Sequence, residues 1–144
     1  MAKNGFSMSN RVAVESITAS KTLTQDDCGK VLIMGSASAA YTVTLPTAAD
    51  ALAGWNCTFI VGATAKDHII TGSQESAPNI YFVGGGNSVF TAAADYSGSG
   101  GTADSKLTFN NAEMVQGDRV EFVTDGSDWH AKVITLSQEA YTLA

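Results

Sequence analysis

The strongest structural constraint in this sequence is the alternation of apolar and polar side chains in segment 41–46, Tyr-Thr-Val-Thr-Leu-Pro. Successive side chains of an extended chain point to opposite faces, so Tyr41, Val43 and Leu45 share one face and two threonines share the other. Such residues fit a half-buried pleated surface. Pro46 cannot donate to a strand ladder and therefore ends the run. The segment predicts a strand of a half-buried antiparallel sheet.

Similar short segments recur along the chain between turn residues. Further strands are predicted at 11–17, 21–24, 30–34, 55–61, 68–71, 79–83, 106–109, 119–124 and 128–134, with weak alternation in the tail 135–144. Asp125-Gly126-Ser127 is the best hairpin signal. The small-residue connection 35–40 predicts another hairpin. Residues 47–54 form the one predicted helix, a short one capped by Thr47.

These elements together indicate the fold class. Roughly nine to eleven short strands with at most one short helix predict an all-β protein, an antiparallel β-sandwich or a jelly-roll-like barrel. Alternation and size select seven residues for its core: Tyr41, Val43, Leu45, Trp55, Phe59, Phe122 and Trp129.

The length of 144 residues fits a single domain. We expect an extended N-terminal arm over residues 1–18, followed by one β domain over 19–144 with a Gly/Ser-rich excursion at 84–105. A structureless loop of that length is uncommon inside a compact domain. It is therefore expected to be a surface excursion or an element ordered by a partner. Because the start is polar, we expect no signal peptide. No apolar run approaches the roughly 18 residues of a membrane span, so we expect no membrane segment.

The charge pattern disfavours nucleic acid as a partner. The net charge is −6 and no Lys/Arg run occurs, whereas phosphate contacts require clustered basic residues.

Cys28 and Cys57 are expected to be reduced, buried thiols, with a disulfide as the alternative. His68 and His130 lie in predicted strands among apolar neighbours, which favours structural or surface roles.

No pattern of residues predicts a catalytic, cofactor-binding or metal site, so we expect the protein not to be an enzyme. Aromatic side chains could instead line a sugar site, since their faces stack on carbohydrate. The aromatic candidates are Tyr41, Tyr81, Tyr96, Trp55 and Trp129. The alternation around both tryptophans nevertheless points them into the core.

Four motifs, taken in order, carry a resemblance to a known group of proteins. They are Leu23-Thr24-x-Asp26-Asp27-x-Gly29-Lys30-x-Leu32, the strand at 41–46, the segment 54–61 and Gly117-Asp118-x-Val120-x-Phe122-x-x-Asp125-Gly126-Ser127-x-Trp129. In this order the chain resembles small virion proteins of tailed bacteriophages, namely capsid decoration (cement) proteins and head- or tail-fibre modules. The likeness spans roughly residues 21–134 and carries no catalytic residue over.

The resemblance implies an all-β subunit, commonly a homotrimer, made in the host cytoplasm and added to the capsid exterior. Its partner would be the major capsid protein. The expected contact residues are Lys3, Phe6, Met8 and Arg11, which combine local positive charge with apolar anchors. The alternative is a receptor- or carbohydrate-binding module of a phage fibre, with a surface glycan as its partner.

Overall fold

A computed structural model describes residues 11–73, 80–86 and 103–144 of the chain. Lys3, Phe6, Met8 and most of the excursion at 84–105 lie outside this part. The described strands are β1 (Val14–Ile17), β2 (Lys21–Thr22), β3 (Val31–Met34), β4 (Tyr41–Thr44), β5 (Asn56–Val61), β6 (His68–Thr71), β7 (Ile80–Gly86), β8 (Lys106–Phe109), β9 (Arg119–Thr124), β10 (Trp129–Thr135) and β11 (Tyr141–Leu143). The described helices are the α-helix α1 (Ala48–Ala51) and the 3₁₀ turns η1 (Gln25–Asp27) and η2 (Gln138–Ala140).

The strands form two sheets that pack together, which confirms the all-β, sandwich-like prediction. One sheet has the order β1-β3-β5-β9-β10-β7, and the other has the order β11-β8-β6-β4-β2. Both sheets are mixed rather than purely antiparallel. The parallel pairs are β1-β3, β3-β5, β2-β4, β4-β6 and β7-β10. The antiparallel pairs are β5-β9, β9-β10, β6-β8 and β8-β11. The described strands close no barrel.

The first six strands alternate between the two sheets, which explains the parallel pairings. β1, β3 and β5 lie side by side in one sheet, and β2, β4 and β6 lie side by side in the other. The chain thus winds through three successive two-strand coils. Parallel neighbours need a crossover connection, and here the crossover is a strand of the opposite sheet. The coils are a structural repeat of the fold.

The prediction of a hairpin at connection 35–40 is wrong, because this connection leads from β3 in one sheet to β4 in the other. Its two ends are joined by Tyr41, whose hydroxyl donates to the carbonyl oxygen of Ile17 at 2.9 Å and to that of Gly35 at 3.2 Å. Packed sheets lie roughly 10 Å apart, a gap that this connection is long enough to span. The hydroxyl therefore ties the six-stranded sheet to the start of β4.

The hairpin predicted at Asp125-Gly126-Ser127 is confirmed. β9 and β10 pair antiparallel, with Trp129 opposite Thr124. Gly126 has a φ of 97°, in the region that favours glycine. The Asp125 carboxylate accepts the backbone N–H groups of Ser127 and Asp128, both at 2.8 Å. The turn is thus specified by its own side chain.

The short predicted helix is also present, as the single turn α1. The Thr47 hydroxyl accepts the Asp50 N–H at 3.0 Å, as an N-cap residue does. The chain leaves α1 through Leu52, whose φ of 65° is unusual for a side-chain-bearing residue. α1 therefore turns the chain from β4 toward β5.

The space between the sheets holds one continuous apolar core, and all seven residues predicted for it are buried. Its aromatic rings meet edge to face. Phe59 and Phe122 have ring centroids 5.8 Å apart, and Phe82 and Phe122 have centroids 6.1 Å apart. Tertiary packing of this kind fixes which face of each strand turns inward.

The N-terminal boundary differs from the prediction of an arm over 1–18. Residues 14–17 are strand β1, with Val14 opposite Val31 and Ile17 opposite Met34. Ile17 is buried in the core. The domain therefore includes β1, and an arm can comprise only the residues that precede it.

Candidate functional site

The outer surface of the six-stranded sheet, called the six-stranded face below, carries the side chains that alternate with the core residues. Three rows of aligned residues cross it. The first row is Asn56, Val123, His130 and Tyr81. The second row is Val14, Val31, Thr58, Glu121, Lys132 and Val83, and the third is Ser16, Ile33, Ile60, Arg119, Ile134 and Gly85. The face is thus a mixture of valine, isoleucine and a few polar groups.

An open cavity of about 450 Å³ lies on this face, over strands β5, β9, β10 and β7. Side chains of the first two rows line it. Val83 is 56% exposed and Val123 is 44% exposed. An exposed valine is ordinary when it stands alone, but two in one cavity leave apolar surface for a ligand to cover.

The aromatic part of the cavity is made by Tyr81 and His130, which are paired directly across β7 and β10. Their ring centroids are 5.9 Å apart and their planes differ by 21°, so the rings are stacked. The His130 Nε2 lies 3.3 Å from an Asp125 carboxylate oxygen, which holds the imidazole. Hydrogen bonds from the N–H groups of Asp128 and Ser127, followed by that from His130, lower the pKa of Asp125 to about 2. Asp125 is thus an anion that orients His130.

The polar part of the cavity is made by Glu121 and Lys132, which are directly opposite each other on β9 and β10. Both side chains are exposed. Asn56 adds a carboxamide from β5. The cavity therefore offers one carboxylate, one ammonium and one amide, a set with both donors and acceptors and with balanced charge.

The outer surface of the five-stranded sheet, called the threonine face below, differs from the six-stranded face. Its outward positions are mostly threonines, namely Thr22, Thr42, Thr44, Thr108 and Thr142. Ile69, Thr71 and Lys106 complete these rows, and Thr71 is the buried member. The threonine face is the natural place for control substitutions.

A cluster of four charges lies where the first coil turns from β1 to β3. Lys21 and Lys30 each bind both Glu15 and Asp27, at N–O distances of 2.5–3.1 Å. Burial alone would raise the pKa of Asp27, but hydrogen bonds from Lys30, the Thr24 N–H and Lys21 outweigh it and lower this pKa to about 2. All four charges are paired, so the cluster is structural.

Of the four contact residues expected at the N-terminus, only Arg11 lies within the described chain. Arg11 is exposed, and the next apolar residues, Val12 and Val14, are 59% and 66% exposed. Lys3, Phe6 and Met8 lie outside the described residues. The lead into β1 thus presents apolar surface next to a positive charge.

The aromatic residues considered for a sugar site separate into two groups. Tyr41, Trp55 and Trp129 are buried in the core, so they cannot contact a sugar. Tyr96 lies outside the described residues. Tyr81 reaches the cavity.

The sequence did not indicate Glu121, Lys132 or Asn56 as site residues. Their positions opposite the core residues of β5, β9 and β10 were predictable from alternation. What could not be predicted is the parallel pairing of β7 with β10, which brings Tyr81 beside His130. The two cysteines also differ from expectation in part: both are free thiols, but Cys28 is exposed and only Cys57 is buried.

Within residues 11–73, 80–86 and 103–144, no group of three or more His, Cys, Asp or Glu side chains is arranged to hold a metal ion. Nor is any helix of this part long and apolar enough to cross a membrane. Comparisons of the chain with known protein families, with curated proteins and with solved structures gave no match.

Proposed function

We propose that this protein is a bacteriophage capsid decoration protein, which binds the outside of the head and stabilises the shell without catalysis. Two considerations support the proposal: the resemblance of its motifs to small virion proteins, and the exposed apolar lead into β1. The partner would be the major capsid protein, and the working location would be the capsid exterior.

The observation that carries the proposal is the surface of the segment 11–14. Val12 and Val14 have 59% and 66% of their surface exposed, and Arg11 beside them is exposed too. Val14 begins β1, an edge strand of the six-stranded sheet. Side chains anchored on a rigid strand lose less conformational freedom on binding than side chains of a free chain. Phe6, Met8 and Lys3, which precede this lead, would extend the same contact.

The stabilising effect would follow from mass action. A protein that binds the assembled shell but not its separated subunits stabilises the shell by RT ln(1 + [L]/Kd) per site, about 2.7 kcal/mol when its concentration is 100 times Kd. The effect multiplies over the many equivalent sites of a capsid. It requires surface contact only, with no reaction.

Binding to undecorated capsids tests the proposal. Val12→Ser combined with Val14→Ser should abolish co-sedimentation with the capsids, and deletion of residues 2–10 should weaken it. Leu136→Ser is the matched control, because Leu136 is also 62% exposed but lies after β10. Undiminished co-sedimentation of the double variant would refute the proposed contact. Failure of the unaltered protein to co-sediment would refute the decoration function itself.

The proposal includes a homotrimer, because the edges of both sheets, β1 and β7 in one and β2 and β11 in the other, need covering in a protein that stays dispersed. Symmetric association is the usual way in which identical subunits cover such surfaces. Light scattering of the free protein at micromolar concentration should give three times the subunit mass. A monomer both free and on the capsid would contradict the trimer.

A further inference from the structure

We infer that the cavity on the six-stranded face is a binding site for an uncharged pyranose sugar, held by the aromatic pair Tyr81–His130 and by the polar pair Glu121–Lys132. The inference rests on the geometry of the cavity and holds whether or not the protein decorates a capsid.

The size and position of the cavity suit a small ligand. Its volume of about 450 Å³ falls within the roughly 300–1,000 Å³ of small-molecule sites. The lining side chains stand on four neighbouring strands, β5, β9, β10 and β7, which are fixed to one another by ladder hydrogen bonds. Sites built on strands hold their groups more precisely than sites built on loops.

The apolar lining suits the C–H face of a sugar ring. The stacked rings of Tyr81 and His130, with planes 21° apart, form an aromatic wall of the cavity beside the exposed methyl groups of Val123 and Val83. Aromatic faces carry negative partial charge, and the ring C–H groups of a pyranose are weakly positive. A ligand with one apolar face therefore has a matching surface to lie on.

The polar lining suits hydroxyl groups and no net charge. Glu121 can only accept hydrogen bonds and Lys132 can only donate them, and they occupy directly opposing positions. Cβ atoms of such cross-strand pairs lie about 4.5–5.5 Å apart, so neighbouring hydroxyls of one sugar can reach both groups. The carboxylate disfavours an anionic ligand and the ammonium disfavours a cationic one. An uncharged polyol satisfies both.

Two other kinds of occupant fit less well. An extended peptide adds to a sheet through the free backbone groups of an edge strand, whereas this cavity lies over the face, and β5, β9 and β10 have neighbours on both sides. Hydrolysis of a bound glycan ordinarily uses two carboxyl groups flanking the scissile bond. The described lining supplies one, Glu121. The site is thus suited to binding rather than cleavage.

The test is a screen of the full-length protein against neutral mono- and oligosaccharides of glucose, galactose, mannose and N-acetylglucosamine, followed by titration calorimetry of those that bind. Tyr81→Ala should weaken binding about tenfold, the effect of losing one stacking contact. Glu121→Gln and Lys132→Met should each weaken it by a similar factor. Thr108→Ala, on the threonine face, is the matched control and should leave binding unchanged. Thermal midpoints of all variants show whether each one folds.

Each outcome decides for or against the site. Loss of neutral-sugar binding in folded Tyr81→Ala, with full binding by Thr108→Ala, supports it. The inference is overturned if no neutral sugar binds at millimolar concentration, or if binding survives all three cavity substitutions. Binding restricted to anionic sugars and removed by Lys132→Met would overturn it as well, because a charge-driven site would then be present. None of these results depends on capsid binding.

Discussion

The indole rings of Trp55 and Trp129 meet edge to face in the core, with ring centroids 5.3 Å apart and planes at 88°. Trp129 in turn meets Phe122 at 6.4 Å and 82°. Trp55 comes just before β5, while Trp129 begins β10. The pair therefore connects the third two-strand coil, which begins at β5, to the β9–β10 hairpin. Such edge-to-face pairs add about 0.5–1.5 kcal/mol beyond the area that they bury.

Truncation of either tryptophan should be severely destabilising. Trp129→Ala and Trp55→Ala should each lower the free energy of unfolding by about 3–5 kcal/mol, since both side chains are at most 2% exposed. Urea denaturation provides the measurement. The double variant should lose less than the sum of the two, because the rings contact each other. Wild-type midpoints in both single variants would show that neither ring supports the core.

Trp55 offers a second, finer prediction. Its indole Nε1 is buried and has no hydrogen-bond partner within the described structure. A buried unpaired donor costs about 1–3 kcal/mol, so Trp55→Phe removes this cost while it keeps an aromatic ring. We expect Trp55→Phe to lose much less stability than Trp55→Ala. Equal losses in the two variants would contradict this expectation.

The charge cluster of the first coil should make the stability of the fold depend on pH in the acid range. Asp27 is 4% exposed, and its pKa of about 2 in the folded protein compares with 3.8 in an unfolded chain. A depressed carboxyl pKa stabilises the fold above pH 3.8, and this contribution is lost as the pH falls toward 2. Asp27→Asn should therefore cost about 2 kcal/mol at neutral pH. The variant should also lose less stability between pH 4 and pH 2 than the unaltered protein, with the remaining loss due to other carboxylates such as Asp125.

The control for that experiment is Asp26→Asn. Asp26 is the exposed neighbour of Asp27 in η1 and belongs to no ion pair of the described chain. At each pH from 2 to 7, the urea midpoint of this variant should be nearly the same as that of the unaltered protein. If Asp26→Asn and Asp27→Asn behave alike, the cluster contributes nothing specific.

The two thiols should differ in reactivity. Cys28 is exposed, whereas Cys57 is 2% exposed and its burial raises the pKa of the thiol. Because the thiolate is the reactive form, a thiol reagent should label one cysteine of the native protein rapidly and the second only after denaturation. Cys28→Ser should remove the rapid phase. Two rapid thiols in the native protein would contradict the burial of Cys57.

Local pattern was enough to predict the strands but not their partners. The alternation at Tyr41, Val43 and Leu45 identified a strand with one buried face, and Asp125-Gly126 identified the β9–β10 hairpin. Connection 35–40 has no such turn chemistry. A chain of that length can close a hairpin or cross between sheets, and only the packing of the whole core decides between them.

The candidate site shows the same limit more sharply. Alternation predicts that Glu121 and Lys132 face away from the core, and the hairpin register places them opposite each other. Tyr81 joins them because β7 pairs parallel with β10, which are far apart in the sequence. Long-range pairing of this kind leaves no local signal in the chain. The outer face of a sheet can therefore be predicted residue by residue, while the site on it cannot.

The last prediction concerns His68, which is 1% exposed and packs against Tyr41 with ring centroids 5.1 Å apart. Its Nε2 donates to the carbonyl oxygen of Ala63 at 2.6 Å, and its Nδ1 is buried with no partner in the described structure. Burial lowers the pKa of His68 below 6.5, although the Ala63 carbonyl and Asp67 partly oppose this effect. The unfolded chain then takes up a proton at a higher pH than the folded chain does. The contribution of His68 to stability is therefore full above pH 6.5 and falls as the pH drops below it.

His68→Gln keeps an N–H donor for Ala63 but cannot titrate, so its unfolding free energy should depend less on pH between pH 6.5 and pH 4.5. This window lies above that of Asp27, so urea denaturation across it separates the two groups. An unchanged pH dependence in His68→Gln would show that a different group causes the loss.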